Sequence, residues 1–261
     1  MPGAQEKNHG LLVGKVVVVT GAAGGIGRAT ALNALNEGAI VIATGVNQAE
    51  VDSLVAQRSD DRWHVRLLDV RVAADVDAFA VEITESIGAV DGLVNSAGIL
   101  IPNNLVDSSE SEYDRIFDVN VRGTYLTCKA LLPAMVAKGS GSIVNLGSVN
   151  SLAAEPQLAL YSASKGAVLM LTRAIAIDYA GVGIRANTIC PGFVDTQINV
   201  PHYMKLGGRA LMEEKIADFQ PIGRPIEPIE IAQPIIFLLS DNSRAITGTS
   251  FVIDGGALAQ V

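Results

Sequence analysis

The 261-residue chain is poor in the residues that build disulfide frameworks and metal sites: it has two cysteines and three histidines. Cys128 and Cys190 lie far apart, each in an apolar stretch, and read as buried thiols rather than as a bridge or a nucleophile. His9, His64 and His202 have no partner at ligand spacing, so no metal site is expected. Basic residues are outnumbered, 19 against 27 acidic, for a formal net charge of −8. A surface that tracks phosphates needs the opposite balance, which argues against nucleic acid as a partner. Long hydrophobic runs are also missing. Val16–Val19 is too short to cross a bilayer, and the apolar stretch 167–177 is interrupted by Arg173. No basic segment followed by an apolar run opens the sequence. Together these absences give the expectation of a cytoplasmic protein with no membrane partner.

No low-complexity block or proline-rich linker divides the chain. The expected organisation is a loose polar lead-in over residues 1–10 and one domain over 11–261. Hydrophobic residues make up 49% of the sequence, enough for one large core, and they fall in short β-branched runs alternating with longer helical patterns. Strands are expected at 15–20, 39–44, 65–68, 91–94, 142–146, 184–189 and 250–253. Helices are expected at 26–37, 113–137 with a break near Asn120, 161–180 and 229–239. The first strand is nearly all valine, as a strand covered on both faces requires. This order predicts an α/β, Rossmann-like, doubly wound parallel sheet flanked by helices, with a ligand crevice beyond the carboxyl ends of its strands.

Thr20-Gly21-Ala22-Ala23-Gly24-Gly25-Ile26-Gly27 joins the first strand to the first helix. Glycines there let backbone approach a pyrophosphate, and the helix N-terminus favours its charge. A tight turn without a ligand is the plainer alternative. Tyr161 and Lys165 stand four apart and so share a helix face, where an ammonium would favour the phenolate and lower the tyrosine's usual pKa near 10. Ser148 follows the strand ending at Leu146, at the crevice; a capping serine is the bland reading.

The loop resembles the T-G-x-x-x-G-x-G segment of the short-chain dehydrogenase/reductase family. Further segments follow in that family's order: Asp69, Asn95-Ser96-Ala97-Gly98, Asn120, Ser148, Tyr161 to Lys165, and Pro191-Gly192. The usual N-N-A-G appears here as N-S-A-G. The resemblance covers residues 12–256 and implies an NAD(P)-dependent oxidoreductase moving a hydride between nicotinamide and a secondary alcohol or ketone. It implies a catalytic set of Asn120, Ser148, Tyr161 and Lys165: the serine on substrate, the tyrosine as acid/base, the lysine on tyrosine and ribose, the asparagine's carbonyl holding a relay water. It further implies cofactor contacts from Gly21, Gly25, Ile26, Gly27, Gly45, Val46, Asp69, Val70, Asn95, Ala97, Gly98, Tyr161, Lys165, Pro191, Gly192, Val194 and Thr196.

The second strand ends at Gly45-Val46, where the family's NAD enzymes usually carry Asp and many NADP enzymes carry Arg; Gly24 stands at another position that commonly carries a cation for the 2′-phosphate. Two missing cations cost a phosphate more than one missing acid costs a hydroxyl, so NAD is the expected cofactor, with NADP not excluded. Residues 194–221 resemble the family's substrate lid. Ser148, Asn150 and Tyr161 are the expected substrate contacts. The polar run Asn150, Ser151, Glu155 and Gln157 suits a small hydroxylated substrate such as a sugar or polyol, and the lid's basic residues could meet an anionic group. A 3-oxoacyl-carrier reductase using NADPH is the alternative; an idle nucleotide-binding regulator is the alternative of another class. Family members are commonly homotetramers, and the apolar excess over 167–177 leads to the same expectation.

Overall fold

The computed structural model describes residues 10–260, so the lead-in expected over 1–10, Gly10 apart, lies outside the described residues together with His9 and Val261. Seven strands run β1 (Val16–Thr20), β2 (Ile40–Gly45), β3 (Trp63–Leu67), β4 (Gly92–Asn95), β5 (Gly141–Leu146), β6 (Ile184–Pro191) and β7 (Ser250–Ile253). They form one sheet of order β3-β2-β1-β4-β5-β6-β7, and every pairing is parallel. The valines of β1 show why. Val17 and Val19 enter a core cluster on one face, and Val16 and Val18 enter a separate cluster on the other. A strand with apolar residues at every position needs cover on both sides, and crossover helices supply it.

The helices are α1 (Gly25–Asn36), α2 (Gln48–Val55), α3 (Ala73–Ser86), α4 (Glu110–Phe117), α5 (Gly123–Lys138), α6 (Ala159–Tyr179), α7 (Val200–Lys205), α8 (Arg209–Phe219) and α9 (Pro228–Leu239). α1 and α9 pack together beneath one face, where Ala31, Ala34 and Leu35 join Ile231, Ile235 and Ile236. α3, α5 and α6 cover the other, with Val76, Phe79, Leu131, Met135 and Ile175 in its cluster. The patterned elements fall within three residues of expectation, whereas α2, α3, α7 and α8 went unassigned. Val76, Phe79, Ala80 and Ile83 of α3 do follow a helical period; α2 buries only Leu54. The protein's one tryptophan, Trp63, opens β3 and donates its indole N–H to Leu54 O near the end of α2, at 3.0 Å.

The strand order reverses between β1 and β4, and that switch opens the crevice at the carboxyl edge of the sheet. The expected break falls at a π-helical turn, Asp118–Arg122, between α4 and α5. Among the described residues no helix is long and apolar enough to cross a membrane.

Candidate active site

The phosphate loop starts at Gly21, which takes a left-handed φ of +62°. A Cβ there would also lie 2.7 Å from Ala97 Cα, so glycine answers both a backbone and a packing demand, and the loop is pressed against the turn after β4. A Cβ on Gly27 would come 2.4 Å from the Gly21 carbonyl oxygen. One on Gly25 would come 2.2 Å from Thr196 Cγ2, which places the segment after β6 directly over the loop. Ala22 N donates to Thr44 O at 2.9 Å and joins the loop to the end of β2. The result is a backbone cradle at the N-terminus of α1, and it fits the pyrophosphate of a dinucleotide.

The other half of the site surrounds α6. Tyr161 and Lys165 share its buried face, with the Lys165 Nζ 5.7 Å from the tyrosine ring centroid. Leu100, Leu158 and Tyr161 form a small apolar cluster against which Ile198 packs. Nζ donates to Leu146 O at the end of β5, at 2.7 Å. A Cβ on Gly98 would stand 3.4 Å from Asn120 Oδ1 and 3.6 Å from that Nζ, so the turn after β4, the π-helical turn and α6 converge. Ser148 Oγ caps the following turn by accepting from Asn150 N at 3.1 Å, and it lies near enough to Tyr161 to act on the hydroxyl's proton affinity. The capping reading of Ser148 therefore holds.

Burial pushes the Tyr161 hydroxyl up to about 12, Ser148 pulls it down, and the Glu155 carboxylate pushes it up again. The expectation that Lys165 draws this pKa down is thus corrected. Desolvation dominates, and it also lowers Lys165 itself to about 8. The Asn120 side chain is engaged at both ends. Its side-chain oxygen accepts from Ile99 N at 2.8 Å, and its amide donates to Ile99 O and Ser164 Oγ at 3.0 Å. That amide is a brace between the β4 turn and α6. Only its backbone carbonyl, which accepts from Thr124 Oγ1 at 2.8 Å, keeps a lone pair for a water.

Asn150 is buried, and its Oδ1 has no partner, an orphaned acceptor two residues from Ser148. Asn95 is spent inside the sheet, its amide on Asn145 Oδ1 at 2.8 Å and its oxygen on the Thr127 hydroxyl at 2.6 Å. Its side chain is thereby a core brace, and the cofactor edge of that segment is left to the backbone at Ala97 and Gly98. Asp69 takes a bidentate grip from Arg71, which holds its carboxyl below the usual range, and Val70 packs where a Cβ on Gly123 would stand. Ile26 packs against the α1 and α9 core cluster. Pro191 ends β6, Gly192 N donates to Ile253 O at 2.9 Å, and Val194 O accepts from Asn199 Nδ2 at 2.8 Å.

Three basic residues of the segment 194–221 are engaged or buried. Arg209 binds Asp195 at 2.8 Å and Glu213 at 2.7 Å, Lys205 donates to Pro102 O at 2.5 Å, and His202 is buried, which lowers its pKa. One residue that sequence reasoning missed stands at the end of β2. The Glu50 carboxylate accepts from Val46 N at 2.9 Å and from Asn47 Nδ2 at 3.2 Å. The Asn47-x-x-Glu50 spacing of a helix cap was the available signal.

Residues 21–257 match a family model described as enoyl-(acyl carrier protein) reductase. The dehydrogenase/reductase SDR family member 6 of Rattus norvegicus is 40% identical over 252 residues, covering 95% of this chain and 98% of the relative. The chain belongs to the short-chain dehydrogenase/reductase family. A 2-keto-3-deoxy-L-fuconate dehydrogenase of Xanthomonas campestris pv. campestris is 40% identical over 247 residues, 94% of this chain and 80% of that one. Among solved structures, a gluconate 5-dehydrogenase from Burkholderia cenocepacia in complex with NADP and tartrate superposes with a TM-score of 0.90 at 31% identity, over 97% and 99% of the two chains. The sheet and glycine cradle above are this family's Rossmann architecture, and the protein is a nicotinamide-dependent oxidoreductase of secondary alcohols and ketones.

Proposed function

We propose that this short-chain dehydrogenase acts on a small hydroxylated molecule such as a sugar or polyol and prefers NAD. The observation that carries the substrate class is the polar stretch between β5 and α6, where Ser148 is followed by Ser151, Glu155 and Gln157, which keep surface uncovered, with Glu155 close enough to act on Tyr161; such groups offer hydrogen bonds that a plain hydrocarbon substrate would leave unmade. The bound nicotinamide supplies the hydride acceptor or donor. Ser148 donates to the substrate oxygen and fixes it. In oxidation Tyr161 takes the alcohol proton, and in reduction it returns one. Lys165 offers a donor for ribose. Asn120 holds the β4 turn against α6, and its carbonyl anchors a water through which the proton reaches solvent. Residues 194–221 close over the site.

The NAD preference is supported by the ion pairs that hold two arginines near the end of β2, while Arg28 of α1 donates to Ser53 Oγ at 3.0 Å. Arg66, on β3, is held by Glu82 at 2.7 Å, and Arg71 by Asp69. With Arg209 and Lys205 also engaged, the lid gives little help to an acidic acyl carrier, so the 3-oxoacyl alternative ranks second. Steady-state rates over a panel of polyols, sugars, simple secondary alcohols and 3-oxoacyl thioesters, each with NAD and NADP, test the reading. The highest kcat/KM is expected for a polyol or sugar with NAD. A thioester substrate with NADPH giving the highest value would reverse both halves.

We also propose a cytoplasmic homotetramer. α6 turns Met170 and Ile177 to solvent, the latter 80% exposed, and α5 does the same with Tyr125. Apolar side chains in those places suit contact with a second copy. Light scattering at micromolar concentration is expected to give four times the chain mass; a stable monomer would reject the assembly.

A further inference from the structure

We propose that Glu50 is the residue that sets the cofactor preference, by presenting a carboxylate from α2 to the adenosine ribose at the end of β2. The inference rests on the NAD reading above and names its cause. Three observations place the carboxylate there. Its Oε2 accepts from Val46 N at 2.9 Å, so it is pinned to the backbone of the residue just past the strand. Its Oε1 takes the Asn47 amide at 3.2 Å. A Cβ on Gly45 would lie 2.7 Å from Glu50 Cβ, so the glutamate occupies the room that a side chain at 45 would need. The strand end is tied to the phosphate loop by the bond from Ala22 N to Thr44 O, which puts this carboxylate and the glycine cradle on one rim.

An acid at that rim discriminates in the usual way, accepting from a ribose 2′-hydroxyl and opposing a 2′-phosphate. A carboxylate has about four lone-pair sites and only two are used here, so it has acceptor capacity for a hydroxyl. The neighbouring cation that reaches toward α2, Arg28, places its Nη2 on Ser53 Oγ at 3.0 Å. The helix cap itself is made by Asn47, whose Oδ1 accepts from the Glu50 backbone N–H at 3.0 Å. Capping alone would be indifferent to which cofactor binds, and that separates the two roles.

Calorimetric titration of the whole protein with NADH and with NADPH reads the proposal without turnover. The unmodified protein is expected to bind NADH more tightly. Glu50→Gln keeps the shape and the Asn47 cap, and is expected to narrow the NADH-to-NADPH ratio by on the order of tenfold, mostly through tighter NADPH. A ratio unchanged in a variant of unchanged Tm overturns the role of Glu50 while leaving the NAD reading intact. NADPH binding at least as tightly as NADH to the unmodified protein rejects the NAD reading first, and the role of Glu50 with it. A second titration needs no substitution: NADH lacking the adenosine 2′-hydroxyl is expected to bind about tenfold more weakly. Equal binding of the two would also overturn the proposal.

Discussion

Tyr161→Phe is expected to lower turnover by about two to four orders of magnitude while changing cofactor affinity no more than a few-fold. The substitution removes one oxygen from a buried ring and leaves the contacts with Leu100 and Leu158 in place. Burial pushes the Tyr161 hydroxyl up to about 12 in the protein alone, so the phenolate would be favoured only in the loaded site, where an oxidised nicotinamide would bring positive charge. The oxidation rate should therefore rise with pH, and the phenylalanine variant should lose that limb. Lys165→Met, by contrast, is expected to damage kcat and cofactor binding together. Near-normal turnover in Tyr161→Phe, measured on a good substrate, would remove the proton-transfer assignment.

The next largest effect is expected from a single methyl group in the phosphate loop. Gly27→Ala forces a carbon to within 2.4 Å of the Gly21 carbonyl oxygen, an atom of the backbone that cannot rotate away. The loop must open or the first turn of α1 must shift, at about 1–3 kcal/mol of stability. Dinucleotide affinity should fall by at least about tenfold, because the N–H groups lose their alignment on the phosphates. Gly24→Ala supplies the control. Its Cβ would meet nothing nearer than 3.7 Å, and its φ of −94° suits any residue. Thermal melts and cofactor titrations of both variants decide the matter, and equal behaviour of the two would show that the cradle is not the binding element.

What the sequence made legible was whatever periodicity and backbone demand encode. The valine run of β1, the alternation of strands and crossovers, and the break at Asn120 could all be read because each is local. α2 escaped because it is polar on nearly every side, with Leu54 its single buried residue. Glu50 escaped with it, since its contact with Val46 depends on where α2 starts relative to the strand end. The pairing of Arg209 with Asp195 joins residues 14 positions apart across a turn, beyond any helical spacing, so that guanidinium looked available when it is not. The proton affinity of Tyr161 was misjudged for a related reason. A tyrosine and a lysine four apart announce their shared face, whereas the depth to which both are buried is a property of the packed whole.

Trp63 gives this architecture an optical handle. As the only indole in the sequence, it is the sole source of tryptophan emission, and its N–H is bonded to the last turn of the helix that carries Glu50. Buried beneath that helix, it has an emission colour and lifetime that report whether α2 is seated on the sheet. A dihydronicotinamide bound in the crevice absorbs in the same spectral region and acts as an energy acceptor. One unlabelled sample thus carries two colours of signal, donor quenching for occupancy and donor wavelength for the seating of the ribose helix.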